Sequence, residues 1–248
     1  MFESALQTYL KNHNYQRIDL HAALFDMDGV LFDSMKNHAR VWQDALLHYG
    51  MHITAEEVYL NEGRTGKSTI NAVSMRERGY EVSDETAAEI YAYKSKLFNH
   101  CPEPPAMEGA YELLKQVVES AVTPVLVTGS GQASLLGRLD EAFPSIFNPD
   151  RMVTANDVRY GKPNPEPYLM GLEKAGVGAH QAIVVENAPL GIQAGVAADI
   201  FTIAVNTGPL PDSALLDAGA NLLFPSMQAL SDAWTSLCDE IQHYTLQE

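Results

Sequence analysis

The chain has 248 residues, of which 46% are hydrophobic, and its formal net charge is −16. This length suits one α/β domain with a large insertion, or two small domains. The acidic balance and the lack of a basic run argue against a nucleic-acid partner, because binding to phosphate backbones relies on clustered lysine and arginine. We therefore expect a globular protein that does not bind nucleic acid.

The two cysteines, Cys101 and Cys238, lie far apart in the sequence, which gives no support for a disulfide framework and favours a reducing compartment. No stretch approaches the roughly 18 apolar residues of a membrane span. The first twenty residues form an amphipathic pattern without the continuous apolar segment of a signal peptide. We expect a peripheral helix there, no membrane partner, a cytoplasmic location and a monomeric protein.

The run 24–32, with the sequence LFDMDGVLF, places two carboxylates at the end of an apolar strand. Asp26 and Asp28 can share one side only if the chain stays extended through Met27. Two buried carboxylates are costly unless a cation compensates them, and Mg²⁺ is the hard cation that suits them. The alternative is an ordinary strand end with solvated acids and a turn at Gly29.

Helical patterns dominate the next seventy residues. Apolar positions at helical spacing predict a helix that is capped by Ser34 or Asp33 and ends before Gly50. Residues 54–57 have the form of a capping box, and further helices are predicted at 69–78 and 83–98. The proline-rich segment 101–105 then breaks the helical pattern. The chain from 34 to 103 is therefore predicted to be an all-helical block.

Beyond that segment, strands and helices alternate. Strands are predicted at 123–128, 152–154, 182–185 and 200–205, with helices at 108–119, 133–143, 165–175 and 189–198. This alternation predicts an α/β fold with a doubly wound parallel sheet. The acidic strand belongs to that sheet, so the helical block is an insertion: a Rossmann-like core of residues 1–33 and 104–248, and a cap of residues 34–103. Ligands bind at the carboxyl ends of such strands.

Two further strand ends carry polar groups. Residues 128–132, TGSGQ, stand between a strand and a helix, where backbone N–H groups and hydroxyls can bind an anion. A plain glycine-rich turn is the alternative. Lys162 lies between Gly161 and Pro163, so a rigid loop presents it; without context it would be a solvated surface lysine.

Glu186 and Asn187 follow the strand at 182–185. Both are natural ligands for a hard cation or for the waters around one. In the alternative interpretation Asn187 only caps the next helix, with Pro189 close behind. Four strand ends that carry carboxylates, hydroxyls, lysine and amide together indicate phosphoryl transfer assisted by Mg²⁺.

These motifs resemble those of the haloacid dehalogenase superfamily, in its β-phosphoglucomutase-like branch with a helical cap, over about residues 20–230. The resemblance implies that Asp26 is the nucleophile, which forms an aspartyl-phosphate, and that Asp28 is the general acid and base. It assigns Thr128 and Lys162 to the phosphoryl group, and Gly129 and Ser130 of the glycine-rich turn are further candidates for substrate binding. The Mg²⁺ ligands are expected to be Asp26, Asp28 through its carbonyl, Glu186 and Asn187.

Two consequences of this resemblance can be tested. Asn187 stands where the family has a metal-binding acid, so we expect weaker binding of Mg²⁺. An unperturbed aspartate has a pKa of about 3.9, so burial and neighbours would have to raise the pKa of Asp28 for it to act as an acid.

Cap residues are expected to determine the substrate specificity. His38 could hydrogen-bond Asp28, whereas Trp42, four residues on, is expected to pack in the core of the cap. Lys94 is either a substrate contact or a solvated charge. Arg64 and Lys67 are alternative contacts for an anion, from a loop rich in glycine.

Glu62 places a carboxylate beside an anionic substrate site, and the segment 62–66 with Lys94 is similar to members of this branch that act as inorganic pyrophosphatases. The sequence therefore favours a Mg²⁺-dependent phosphohydrolase that acts on pyrophosphate or another small phosphate compound. One alternative is a β-phosphoglucomutase or sugar-phosphate phosphatase. Another is a noncatalytic regulatory or binding protein on the same fold, because fold alone does not establish function.

Overall fold

Six parallel strands form one sheet in the computed structural model, which describes residues 2–131 and 133–246 and, of residues 133–136, the backbone only. The strand order is β3-β2-β1-β4-β5-β6, which confirms the predicted doubly wound α/β fold. The strands are β1 (Ala22–Phe25), β2 (Thr123–Val127), β3 (Met152–Val153), β4 (Ala182–Glu186), β5 (Phe201–Val205) and β6 (Leu222–Phe224).

The first strand lies at the centre of the sheet. Phe25 pairs in parallel with Leu126 of β2 on one side and with Val185 of β4 on the other. All four residues of β1 are buried, as expected for a strand that is covered on both faces. The strand order reverses between β1 and β4, and ligands bind to doubly wound sheets at such a reversal.

Eleven helices surround or interrupt the sheet within the described residues. They are α1 (Glu3–His13), α2 (Met35–His48), α3 (Ala55–Leu60), α4 (Gly66–Arg78), α5 (Asp84–Phe98), α6 (Ala110–Glu119), α7 (Ala133–Ala142), α8 (Glu166–Ala175), α9 (Pro189–Ala197), α10 (Asp212–Asp217) and α11 (Met227–His243). The predicted capping box of α3 is present, since Thr54 and Glu57 each bond the other's backbone N–H. The sequence analysis did not predict β6, α10 or α11.

The helices of the core form a layer on each face of the sheet. Apolar residues of α1, α6 and α11 pack with one face, and those of α8 and α9 with the other. The prediction that α1 is peripheral is wrong, because Leu6, Tyr9 and Leu10 are each 1% exposed and belong to the main core. Burial of this apolar stripe against the sheet fixes the helix in place.

Helices α2 to α5 lie between β1 and β2 in the chain and have an apolar cluster of their own, which includes Trp42, Leu46, Ile70 and Ile90. We call residues 35–98 the cap. The two connections to it pair with each other: the N–H of Asp33 donates to the carbonyl of Pro105 at 3.0 Å, and that of Met107 donates to Leu31 at 2.8 Å. The exact division at residues 34 and 103 stays a prediction. None of the described helices is long and apolar enough to cross a membrane.

Candidate active site

Asp26 and Asp28 lie in the loop that follows β1, at the carboxyl edge of the sheet. The N–H of Asp26 still donates to the carbonyl of Val185 at 3.1 Å, so strand pairing extends to the first acid. Gly29 then turns the chain at a φ of +83°, and a Cβ there would lie 2.0 Å from Nδ2 of Asn187. This turn therefore needs glycine both for its backbone angle and for the close approach of the loop after β4.

The ammonium group of Lys162 is buried beside Asp26. Nζ donates to Oδ1 of Asp26 at 2.6 Å, to the carbonyl of Val127 at 3.0 Å and to Oε1 of Glu186 at 2.6 Å, which uses all three of its protons. Burial lowers the pKa of Lys162, but the two carboxylates outweigh burial and hold that pKa above its ordinary value. Lys162 is only 1% exposed, so its interpretation as a solvated surface lysine is wrong.

Asp28 is hydrogen-bonded by side chains from the start of α2. Oγ of Ser34 donates to its Oδ1 at 2.5 Å, and Nε2 of His38 donates to the same oxygen at 3.1 Å. Nζ of Lys94 in turn donates to Nδ1 of His38 at 2.9 Å. An ammonium group has no acceptor, so Nδ1 carries the lone pair and Nε2 the proton. Burial and Lys94 lower the pKa of His38, which favours this neutral form.

This network stabilises the ionised form of Asp28. Burial raises the pKa of Asp28, but the hydrogen bonds and charges of His38, Ser34 and Lys94 outweigh it, and the net pKa is lowered. The expectation of a raised pKa is therefore wrong for the protein without substrate, because hydrogen bonds to a carboxylate favour its charged form. Protonation of Asp28 would be favoured by a second negative charge, which an incoming phosphate supplies.

Glu186 is fully hydrogen-bonded by its surroundings. Its Oε1 accepts from Lys162 at 2.6 Å and from the hydroxyl of Tyr168 at 2.7 Å. Its Oε2 accepts from the backbone N–H groups of Asn187 at 3.0 Å and Ala188 at 3.4 Å. A carboxylate has about four lone-pair sites, so direct binding to a metal would require Glu186 to give up one of these partners. The geometry places Glu186 as the partner of Lys162.

Three buried side-chain oxygens lack a hydrogen-bond partner among the described residues. One belongs to Asn71 in the cap, and the other two, Oδ2 of Asp26 and Oδ1 of Asn187, belong to the site. Both belong to residues predicted to bind Mg²⁺, and carboxylate and amide oxygens are ligands that this ion accepts. Four carboxyl groups, of Asp26, Asp28, Glu62 and Glu186, share the site with two lysine ammonium groups, of Lys94 and Lys162. These features fit a divalent cation held by Asp26, Asn187 and the carbonyl of Asp28. A bound cation would neutralise charge and polarise a phosphoryl oxygen.

This set of ligands combines one carboxylate with an amide and a backbone carbonyl. In the described part of the chain, no group of three or more His, Cys, Asp or Glu residues could hold a metal ion. Burial raises the pKa of Asp26 to about 7, against the effect of Lys162, with Glu186 and Asp28 adding to the rise. A cation beside Oδ2 would oppose this rise and favour the ionised carboxylate that a nucleophile needs.

The glycine-rich turn after β2 reaches the same edge of the sheet. The N–H of Ser130 donates to Oγ1 of Thr128 at 3.0 Å, and both residues are buried. Gly129 and Ser130 line the cavity beneath the cap. The last residue of the predicted motif, Gln132, lies outside the described residues. The described part of the turn is therefore placed to bind an anion in this cavity.

The loop between α3 and α4 packs directly on the core. A Cβ at Gly63 would lie 2.8 Å from Cδ of Lys162, and one at Gly129 would lie 2.7 Å from the carbonyl oxygen of Gly63. A Cβ at Gly161 would lie 2.9 Å from the backbone nitrogen of Thr65. Three glycines thus permit backbone contact between cap and core, and the loop covers Lys162.

A small cavity of about 40 Å³ remains under this loop. Its polar wall includes Asp28, His38, Glu62, Lys94 and Ser130. Glu62 is partly buried, and burial together with the carboxylates of Asp28, Asp26 and Glu186 raises its pKa well above the usual range. The cavity is therefore small and polar, and it has a cap carboxylate in its wall.

The other predicted cap residues divide into two groups. Lys94 is 2% exposed, so its interpretation as a solvated charge is wrong, and burial lowers its pKa to about 8. Trp42 packs in the apolar cluster of the cap, as predicted, and also lines the cavity. Arg64 reaches the cavity, whereas Lys67 is exposed and forms an ion pair with Asp84 at 2.7 Å.

A family model described as "Haloacid dehalogenase-like hydrolase" matches residues 23–205. The chain belongs to this family. One relative within it is "Validoxylamine A 7'-phosphate phosphatase" of Streptomyces hygroscopicus subsp. limoneus, 32% identical over 75% of this chain and 85% of that protein. "Hexitol phosphatase A" of Escherichia coli (strain K12) is 29% identical, over 74% of this chain and 82% of that protein.

A solved structure of the haloacid dehalogenase-like hydrolase fold is more similar still. "Putative beta-phosphoglucomutase from Bacteroides vulgatus" is 54% identical, covers 98% of both chains and superposes with a TM-score of 0.95. The predicted family and its β-phosphoglucomutase-like branch are therefore confirmed.

Sequence reasoning missed two residues of this haloacid dehalogenase-like site. Ser34 was interpreted as a helix cap, but as N-cap of α2 it makes no side-chain capping bond, and its hydroxyl donates to Asp28 instead. Tyr168 fits the apolar pattern of α8 and gave no signal of a polar contact. Only the fold brings its hydroxyl to Glu186.

Proposed function

We propose that the chain is a Mg²⁺-dependent phosphohydrolase that acts on inorganic pyrophosphate or a phosphate compound of similar size. The single observation that carries this proposal is the cavity of about 40 Å³ with Glu62 in its wall. Sites for small organic ligands usually measure roughly 300–1,000 Å³. A hexose phosphate would need much more room than the closed cap leaves, and the side chain of Glu62 takes up part of that room.

The proposed chemistry begins at Asp26. Its carboxylate attacks the phosphorus atom and forms an aspartyl-phosphate, while Lys162 balances the charge of the two approaching anions. Asp28 delivers a proton to the leaving oxygen, and the neutral His38 keeps it oriented. Water then releases phosphate from Asp26, with Asp28 as the base. Thr128, Gly129 and Ser130 bind the transferred group, and Lys94, which lines the same cavity as Gly129 and Ser130, is a contact for the leaving anion.

A second candidate is a sugar-phosphate phosphatase or a β-phosphoglucomutase. The printed names of the relatives favour it, since they include a hexitol phosphatase and a phosphoglucomutase. This activity requires the cap to stand open far enough to admit a sugar. A noncatalytic binding protein is a third possibility, and it predicts no phosphate release from any compound.

The deciding experiment measures kcat/KM for pyrophosphate, glucose 6-phosphate, β-glucose 1-phosphate and a hexitol phosphate at saturating Mg²⁺. We expect the native protein to prefer pyrophosphate. Glu62→Ala enlarges the cavity and should erode this preference, whereas the isosteric Glu62→Gln keeps the volume and should preserve it. Glu89→Ala, at an exposed position of α5, is the control.

Two outcomes would contradict the proposal. Efficient interconversion of the two glucose phosphates, with Glu62→Ala leaving substrate choice unchanged, would establish the mutase instead. Normal turnover in a well-folded Asp26→Asn protein would remove Asp26 as the nucleophile, because an amide of the same shape cannot form the acyl-phosphate.

A further inference from the structure

Tyr168 is completely buried on α8 and contacts two charged groups of the site. Its hydroxyl donates to Oε1 of Glu186 at 2.7 Å, and Nζ of Lys162 lies 5.0 Å from the centroid of its ring. The rest of the ring packs in the apolar cluster with Leu24 and Val127. With 0% of its surface exposed, Tyr168 cannot contact a substrate in the cavity. Any effect on the reaction must pass through its neighbours.

A continuous series of hydrogen bonds connects Tyr168 to Asp26. The hydroxyl of Tyr168 bonds Glu186 at 2.7 Å, Glu186 bonds Lys162 at 2.6 Å, and Lys162 bonds Asp26 at 2.6 Å. The four residues of this series are each at most 1% exposed. Hydrogen bonds in such a low-dielectric setting are stronger than in water, and a broken one is not replaced by solvent.

The position of Glu186 depends on contacts from three sides. The backbone N–H groups of residues 187 and 188 hold Oε2, whereas Tyr168 and Lys162 share Oε1. On the third side, a Cβ at Gly191 would lie 1.8 Å from Oε1, so α9 packs closely against the carboxylate. Without the tyrosine hydroxyl, Oε1 would have Lys162 as its sole donor. Glu186 would then compete more strongly with Asp26 for the ammonium group.

We propose that Tyr168 is a positioning residue for phosphoryl transfer, whose hydroxyl shares Glu186 with Lys162 and so keeps the ammonium group on Asp26. This inference rests on the proposed role of Asp26 as the nucleophile. The ring face supplies a second, separate contact to the ammonium group. Tyr168 thus acts on the reaction through its hydroxyl and through its ring, and variants can separate the two effects.

The test compares Tyr168→Phe, which keeps the ring, with Tyr168→Leu, which removes the ring and the hydroxyl. Loss of a comparable outer partner typically lowers activity by about 10- to 100-fold, and we expect kcat of Tyr168→Phe to fall by roughly 10-fold and that of Tyr168→Leu further. KM and the Mg²⁺ concentration for half-maximal rate should stay within about twofold, because Tyr168 does not reach the cavity. Pyrophosphate and p-nitrophenyl phosphate are assayed in parallel, so the result does not depend on the physiological substrate.

Tyr9→Phe is the matched control. Tyr9 is also a buried tyrosine whose hydroxyl makes one 2.7 Å bond, to the carbonyl of Asp199, away from the site. We expect its loss of stability to resemble that of Tyr168→Phe and its kcat to equal that of the native protein. Equal kcat values for the two variants, each corrected for the folded fraction, would overturn the inference.

A double-mutant cycle with Glu186→Gln keeps the inference falsifiable if a single variant folds poorly. If Tyr168 acts through Glu186, its hydroxyl has little effect once Gln stands at 186, so the effects on kcat are not additive. Additive effects would overturn the inference. The Asp26→Asn variant separates a failure of the proposed function from a failure of the role of Tyr168. If Asp26→Asn is active, the proposed function is wrong. If Asp26→Asn is inactive and Tyr168→Phe has native activity, only the role of Tyr168 is wrong.

Discussion

Asn187 is the residue that the family resemblance predicts to replace a metal-binding acid. Its Oδ1 is buried without a hydrogen-bond partner among the described residues, as is Oδ2 of Asp26. As a proposed ligand, the amide lacks the negative charge of a carboxylate. A cation bound here would therefore depend more on Asp26 and on substrate oxygens than it would beside two carboxylates.

Asn187→Ala should raise the Mg²⁺ concentration needed for half-maximal activity, whereas Asn187→Asp should lower it. The alanine removes a ligand, and the aspartate adds a charge to the same position. Mg²⁺ titration by calorimetry, without substrate, checks the same order independently of turnover. If both variants bind Mg²⁺ like the native protein, residue 187 does not contact the ion.

Lys94 gives the site a pH dependence. Burial lowers its pKa to about 8, so the side chain is a cation below that pH and becomes neutral above it. We expect KM for pyrophosphate to rise as the pH passes through about 8, because the anion then loses a positive partner. Measurements of kcat and KM from pH 6.5 to 9.5 at saturating Mg²⁺ test this. Lys94→Gln should have a high KM without that transition; the same rise in the variant would assign it to another group.

At the scale of elements, the contact between the cap loop and the core depends on glycines. Gly161 lies against Thr65, and Gly129 lies against the carbonyl of Gly63, with no room for a side chain at either contact. The cap has an apolar cluster of its own, although Val41 and Phe98 also join the main cluster of the core. We expect a change at the glycine contact, which belongs to neither cluster, to affect closure more than folding.

Gly161→Ala should lower kcat/KM by about 10- to 100-fold, since small displacements of reacting groups have effects of that size. The added Cβ would push Thr65 and the loop away from Lys162. The melting temperature should change little. Gly137→Ala is the control, because a Cβ at this helical position meets nothing within 4 Å. Native activity in Gly161→Ala would show that the loop adjusts without cost.

Helices and strands were predicted well from the sequence where a repeating pattern of apolar residues runs along them. The strands before Asp26, Thr128 and Glu186 and the helices up to residue 198 were found in this way. The strand β6 has only three residues, too few to show a period, and it was missed. The role of Ser34 could not be predicted for a different reason. Its hydroxyl can either cap α2 or donate a hydrogen bond to Asp28, and the turn at Gly29, which brings Asp28 close, favours the second. The hydrogen bonds of Glu186 likewise depend on residues distant in sequence.

At the scale of the whole molecule, the net charge of −16 should repel an anionic substrate before it reaches the site. Screening reduces this repulsion, because the Debye length falls from about 30 Å at 0.01 M salt to about 8 Å at 0.15 M. We expect kcat/KM for pyrophosphate at saturating Mg²⁺ to rise a few-fold over this range, with kcat unchanged. A fall in kcat/KM would show that local attraction to the lysines dominates the encounter.

The two chain crossings between core and cap pair with each other at Asp33–Pro105 and Leu31–Met107. Because these crossings are hydrogen-bonded to each other, we expect them to bend as one ribbon and not as two independent tethers. Such a ribbon would favour a hinge motion of the cap as one body, which would bring the loop at Gly63 back over Lys162 on closing.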